Sequence, residues 1–153
     1  MMNVKTLRYK RGVDKAPLFC YNRCIMNYVE VIGGTKKQRI LSEDVAFWCI
    51  EKMMPRMKTL EIEIQLSKLE DDRYGSCMEE DRNRVFHLEI AKNCDRDEFI
   101  TSICHEMIHV KQYARNEFSI RTGSGGENYW DLPYEIEAYE LQDTLLKEYK
   151  GAI

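Results

Sequence analysis

The chain has 153 residues, of which 44% are hydrophobic and 32% are charged, as in a globular protein with one domain over residues 1–153. A formal net charge of −3 predicts no basic surface for nucleic acid, and no apolar run approaches the roughly 18 residues that span a bilayer. No hydrophobic leader follows the first residues, so we expect no membrane association and a cytoplasmic protein.

The N-terminal part of the chain gives the weakest structural signal. Residues 24–32 favour a strand, and the glycine pair Gly33-Gly34 marks its end. We treat residues 1–40 as a poorly defined N-terminal extension and expect the core over residues 41–153. Cys20 and Cys24 are four residues apart, but no second Cys/His pair at a suitable spacing follows them, which argues against a structural zinc site.

The middle of the chain predicts one helix and two strands. Ser42 is a suitable N-cap for a helix that stops before Pro55. Residues 59–67 alternate between apolar and polar side chains, which predicts a strand with one buried face, and residues 84–90 repeat the pattern. Residues 69–75 are interpreted as a charged turn region. We expect both strands in one sheet.

Two helices and a loop follow. Asp95 and Glu98 form a capping box ahead of a helix with an apolar face, and residues 115–132 predict a loop that contains three glycines. Pro133 suits the first turn of a last helix. We therefore predict an α+β fold, in which a small mixed sheet packs on the first of these helices and the last helix completes a cleft.

The sequence His105-Glu106-Met107-Ile108-His109 is an HExxH motif in the middle of the Asp95 helix. Histidines four residues apart lie on one helix face, so both imidazoles can bind one Zn²⁺ ion. Glu106 lies off that face but close enough to accept the proton of a water at the metal, and we expect it to be the catalytic base and acid. Cys104 points about 100° away around the helix and is expected in the core.

A catalytic zinc site takes three protein ligands and keeps one position open. No histidine follows His109, and His87 is interpreted as an ordinary strand residue. A carboxylate must therefore complete the site.

The candidates for the third ligand are four acidic residues: Glu127, Asp131, Glu135 and Glu137. The first two fall in the glycine-containing loop, which is a poor platform for a metal ligand. Glu135 and Glu137 both fall in the first turn of the last helix, about 200° apart around it, so only one can face the metal. The residues alone do not choose between them.

Around these motifs, over roughly residues 59–149, the chain resembles the gluzincin zinc metallopeptidases, and especially the compact minigluzincins and the ImmA/IrrE-like peptidases. The stretch that begins Pro133-Tyr134-Glu135 looks like the ExxA motif of their ligand helix, which implies a zincin-like domain with Glu135 as the third ligand and one Zn²⁺ per chain. Residues 105–112 also resemble SprT-like proteins, although this chain lacks the third histidine of that group.

The sequence leaves open which residues orient the ligand histidines and which stabilise an oxyanion. Several gluzincins carry Asp or Asn four residues after the ligand glutamate, where this chain has Tyr139, so that residue is either a hydrogen-bond partner of a zinc histidine or a packing residue. Tyr129, Trp130 and Tyr134 are candidates for stabilising an oxyanion, and packing at the cleft rim is the alternative.

Together these features predict a zinc-dependent peptidase, most simply an endopeptidase, that acts on protein or peptide substrates through Glu106. The alternative is a catalytically weak zincin-fold module with a binding or regulatory role. The intact HExxH motif favours the enzyme, because a degenerate module would most readily lose Glu106.

Overall fold

The computed structural model describes residues 26–70, 74–80, 84–117 and 132–152. In chain order its elements are β1 (Tyr28–Gly33), α1 (Lys36–Met53), β2 (Glu61–Ser67), β3 (Gly75–Glu79), β4 (Val85–Ala91), α2 (Arg96–Ala114) and α3 (Pro133–Ala152). The predicted α+β class is confirmed. Among the described helices none is both long and apolar enough to cross a lipid bilayer.

The four strands form one mixed sheet in the order β1-β2-β4-β3. β2 pairs in parallel with both β1 and β4, so that Ile64 lies opposite Val31 on one side and Leu88 on the other. β3 pairs antiparallel with β4 and places Cys77 opposite Leu88. As predicted, the two strands with alternating patterns, β2 and β4, belong to one sheet, and they pair directly with each other.

One face of the sheet forms the core with the helices. The inward side chains of the two central strands are all buried: Ile62, Ile64, Leu66, Phe86, Leu88 and Ile90. α1 packs near β1, whereas α2 packs against β3 and β4. α3 lies on α2 and also touches α1. The HExxH helix is therefore held between the sheet and the C-terminal helix, as the sequence predicted.

The core begins earlier than predicted, because β1 and the first turns of α1 lie before residue 41. Ser42 is not an N-cap: it is buried inside α1, and its hydroxyl donates to the carbonyl of Gln38 at 2.7 Å. The cap is Thr35, whose side chain accepts from the N–H of Gln38 at 3.2 Å. The Gln38 side chain in turn accepts from the N–H of Thr35 at 3.0 Å, which completes a capping box. The end of α1 before Pro55 is confirmed.

β3 was not predicted. Its sequence, GSCME, is short and mostly polar, and only its pairing with β4 makes it a strand. The charged turn expected over residues 69–75 is described only in part, and Gly75 at its end already belongs to β3. Most of the loop predicted over residues 115–132 lies outside the described residues, as do Cys20 and Cys24.

Helix α2 begins as predicted, since Asp95 accepts from the N–H of Glu98 at 2.9 Å and the Glu98 side chain reciprocates. α3 is fixed on it by the buried residues Ala138 and Leu145. Tyr149 adds a link to α1, because its hydroxyl donates to Asp44 at 3.0 Å. These contacts determine where the first turn of α3 meets the HExxH motif.

The central strand offers a direct test of this architecture. Ile64→Ala should lower the free energy of unfolding by about 2–5 kcal/mol, because it removes a fully buried side chain and leaves a cavity. Gln65→Ala, on the opposite face of the same strand, should cost much less. Urea denaturation followed by circular dichroism measures both, and equal losses would contradict the assignment of the two faces.

Candidate metal centre

The two histidines of the motif face one another across one turn of α2. The Nε2 atoms of His105 and His109 are 3.1 Å apart. The side chain of His105 is 13% exposed and that of His109 is 8% exposed, so the pair is largely withdrawn from solvent. The predicted i, i+4 geometry is therefore present, with both Nε2 atoms pointing to a common place.

The first turn of α3 brings Glu135 to the same place. Pro133 starts the helix, and the carbonyl of Leu132 accepts from the backbone N–H groups of Glu135 and Ile136. The carboxylate of Glu135 is buried, and its two oxygens lie 3.3 Å from the Nε2 of His105 and 3.2 Å from the Nε2 of His109. The structure thus gathers the three predicted ligands.

The spacing of these donor atoms fits a small tetrahedral metal ion. Two ligands bound about 2.1 Å from a tetrahedral zinc lie roughly 3.4 Å apart. The three separations observed among His105, His109 and Glu135 are 3.1, 3.3 and 3.2 Å. Of the described residues, these three form the cluster that could hold a metal ion, with all ligand atoms within 4.8 Å of one another.

Each imidazole is oriented from behind by a glutamine. The Nδ1 of His105 lies 2.8 Å from the Oε1 of Gln142, and the Nδ1 of His109 lies 2.8 Å from the Oε1 of Gln112. An amide oxygen can only accept, so each Nδ1 carries the hydrogen and donates it. In the neutral rings both Nε2 atoms then carry lone pairs, which is the arrangement that binds a metal.

The charges and lone pairs of the cluster favour the binding of a cation. Burial works to lower the pKa of His109, but its hydrogen bond with Glu135 and the charge of Glu106 outweigh burial and raise the pKa above its usual value. Two converging lone pairs and a buried carboxylate repel one another unless a proton or a metal ion lies between them. The donor set therefore fits a divalent cation.

Glu137, the alternative third ligand, faces away from the histidines. Its two oxygens accept from Lys111 at 2.8 Å and from Gln112 at 2.7 Å. Burial works to raise the pKa of Glu137, but these two hydrogen bonds lower it below the usual value. The residues alone did not choose between Glu135 and Glu137 as the third ligand. In the structure, Glu135 alone of the two points to the histidine pair. Glu127 and Asp131 lie outside the described residues.

Glu106 occupies a separate position beside the donor cluster. It is buried, and desolvation raises the pKa of Glu106 to about 7 even though the charges of His109 and His105 oppose the shift. Its side chain lies against β3: a Cβ atom on Gly75 would be 3.0 Å from the Glu106 Oε1. The motif glutamate thus stands between the donor cluster and an edge strand.

The remaining sequence candidates have mixed outcomes. His87 lies on the outer face of the sheet beside Glu63, 3.4 Å away, and is no part of the cluster. Tyr139 places its ring 4.8 Å from that of His105, but the Nδ1 partner of His105 is Gln142. Tyr134 lies 6.2 Å from His109 between ring centroids. Cys104 is buried in the core, as expected, and Tyr129 and Trp130 lie outside the described residues.

Gln112 and Gln142 belong to the candidate site but were not predicted from the sequence. Gln112 follows His109 by three residues, a spacing that puts both side chains on one helix face and could have suggested the contact. Gln142 lies two helical turns beyond Glu135, and no local pattern links it to His105. Its role follows only from the packing of α3 on α2.

No known protein-family model matches the chain, and a comparison with curated proteins also finds no match. The site is therefore interpreted from its own residues and geometry.

Removal of the Glu135 carboxylate should greatly weaken metal binding. The unmodified protein should bind about one zinc per chain. Glu135→Ala should lower the zinc affinity by more than roughly 10–100-fold, which is the loss expected when only a residue that hydrogen-bonds to a metal ligand is removed. Glu140→Ala, which removes an exposed carboxylate from the same helix, serves as the control. Competition with a chromophoric chelator measures the affinities, and unchanged affinity in Glu135→Ala would exclude Glu135 as a ligand.

The close approach of β3 to the motif can be tested at Gly75. A Cβ there would lie 2.9 Å from the carbonyl oxygen of Glu89 and about as near to the Glu106 side chain. Either the strand β3 or the Glu106 carboxylate must therefore move. Gly75→Ala should therefore destabilise the protein by about 1–3 kcal/mol. Ser76→Ala, at the exposed next position, should change stability little. Equal unfolding free energies for the two variants would show that the contact is not tight.

Proposed function

We propose that this protein is a zinc-dependent peptidase of the gluzincin type, with His105, His109 and Glu135 as metal ligands and Glu106 as the catalytic base and acid. The convergence of two Nε2 lone pairs and a buried carboxylate beside a second buried carboxylate is the observation that carries the proposal. Hydrolytic zinc sites need this separation of ligands from base.

Zinc is the metal that suits the donor set best. Two imidazole nitrogens and one carboxylate oxygen are borderline ligands, and a three-ligand set leaves one position for water or substrate. Hard cations such as Mg²⁺ and Ca²⁺ prefer oxygen ligands and a larger number of them. Zinc held here would polarise the scissile carbonyl and make an attacking water more acidic.

Glu106 would move the proton. Its carboxylate accepts a proton from the attacking water and then passes it to the nitrogen of the leaving amine, so that one group serves as base and then acid. Burial raises the pKa of Glu106, which favours uptake of a proton by this carboxylate. The packing of Gly75 against its side chain restricts where the carboxylate can point.

A peptide is the substrate that the surroundings favour. β3 lies at the edge of the sheet and runs past Glu106, so an extended peptide that paired with it would bring a backbone carbonyl towards the donor cluster. Met78 on β3 and Tyr74 just before it are exposed apolar side chains that could contact substrate side chains. The proposed specificity for peptides rests on this edge.

Substitution of the proposed base separates catalysis from metal binding. Glu106→Gln preserves the shape of the side chain but cannot take up the proton, so hydrolysis should fall by roughly a hundredfold or more while zinc content is unchanged. Glu140→Gln is the matched control on an exposed surface. Cleavage of an unfolded protein such as casein, with zinc measured in the same samples, gives both readouts.

Two results would contradict the proposal. Equal cleavage by the unmodified protein and Glu106→Gln would assign the activity to another group or to a contaminant. A zinc-loaded, unmodified protein that cuts nothing across a broad peptide library would instead favour the alternative of a zincin-fold binding or regulatory module.

A further inference from the structure

Gln112 is held from both ends in the contact between α2 and α3. Its side chain is almost fully buried, at 1% exposure. Its oxygen accepts from the Nδ1 of His109 at 2.8 Å. Its amide nitrogen donates to the carbonyl of Tyr134 at 2.9 Å and to the Oε2 of Glu137 at 2.7 Å. The amide group thus connects a proposed metal ligand to a carboxylate on the other helix.

The direction of this amide decides which nitrogen of His109 carries the hydrogen. If the amide were reversed, its NH₂ group would face Nδ1 and the imidazole hydrogen would move to Nε2, where it would block metal binding. The reversed amide would also place its oxygen against the carbonyl of Tyr134 and the carboxylate of Glu137. Three acceptors at hydrogen-bonding distance repel one another, and the Gln112 oxygen would be buried without a donor, so this state is disfavoured.

We infer that Glu137 is a positioning residue of the metal centre, which acts through Gln112 to hold His109 in the tautomer whose Nε2 lone pair faces the metal. The inference rests on the metal site of the proposed function but not on hydrolysis. It gives Glu137 a role distinct from that of Glu135, since Glu137 touches no proposed metal ligand in the hydrogen bonds described above.

Lys111 keeps the carboxylate of Glu137 in place. Its ammonium group donates to the Oε1 of Glu137 at 2.8 Å, which leaves the Oε2 for Gln112. The same ammonium lies 3.6 Å from Glu117, near the end of the described part of this region. Lys111 and Gln112 are neighbours on α2, so two adjacent residues fix one carboxylate of α3.

The other histidine of the motif, His105, supplies an internal comparison. His105 is backed by Gln142, a residue of α3 that is not coupled to Glu137 by any hydrogen bond found among the described residues. Loss of Glu137 should therefore alter His109 and leave the tautomer of His105 as it is. A general loosening of the two helices would disturb both rings.

Two substitutions of equal size isolate the hydrogen bond. Glu137→Met and Glu137→Gln both remove one negative charge and keep a long, helix-compatible side chain, but only the glutamine retains an oxygen that can accept from Gln112. Zinc affinity, measured by chelator competition, should fall about tenfold in Glu137→Met and stay close to the unmodified value in Glu137→Gln. Glu140→Gln controls for the loss of charge, and Glu137→Ala replaces the methionine variant if that does not fold.

The tautomers are read directly from the imidazole nitrogen shifts of ¹⁵N-labelled, metal-free protein, at a pH where both rings are neutral. The measurement is made in a Glu135→Ala background, because the Glu135 carboxylate would otherwise accept a hydrogen from the Nε2 of His109. In that background we expect His109 to carry its hydrogen on Nδ1 when Glu137 is intact and in Glu137→Gln. In Glu137→Met a fraction should carry it on Nε2, while His105 is unchanged. This readout needs neither zinc nor substrate, so it decides the inference even if the protein proves not to be a peptidase.

Three outcomes would overturn the inference. Equal losses of zinc affinity in the methionine and glutamine variants would assign the effect to charge. Unchanged affinity in Glu137→Met would show that Glu137 has no part in the site. In the Glu135→Ala background, a His109 ring that keeps its hydrogen on Nδ1 in Glu137→Met, or that lacks it there when Glu137 is intact, would show that Glu137 does not set the tautomer.

Discussion

The packing of α3 against α2 is the constraint on which the candidate site depends. α2 contributes two imidazoles to the cluster, and the carboxylate of Glu135 reaches them only because the first turn of α3 begins beside the HExxH motif. Contacts far from the metal donors, such as Tyr149 with Asp44, fix the angle of α3. A change in packing at that distant end would therefore alter the site, because it would shift α3 and with it Glu135. A shift of about 1 Å in a ligand is enough to impair a metal centre.

Neutral amides, and not carboxylates, back both histidines. A carboxylate partner makes an imidazole more basic and adds negative charge to the metal environment. Gln112 and Gln142 instead fix the rings without adding charge, so Glu135 and Glu106 carry the negative charge nearest the donors. At Gln112 a negative charge is present one hydrogen bond further from the donor cluster, because the amide nitrogen of Gln112 donates to Glu137.

Much of this arrangement could be predicted from the sequence because its signals are local. The HExxH spacing, the Asp95–Glu98 capping box and the alternation of β2 each depend on residues within one element. The failures have a tertiary cause. β3 is a strand only by pairing with β4, Ser42 lost the N-cap position to the Thr35–Gln38 capping box upstream, and the choice between Glu135 and Glu137 needed the direction of α3. Gln142 had no local signal at all.

The order of the donors along the chain has a consequence for biosynthesis. Both imidazoles belong to α2, whereas the third donor arrives only with α3, after the intervening segment has been made. A nascent chain that has emerged from the ribosome as far as α2 offers two of the three donors and lacks the glutamate that completes the set. Since domains fold as units while synthesis proceeds, metal capture would be coupled to the docking of α3 as a late event of maturation. Before that docking, a newly made chain would have no complete site for a metal ion.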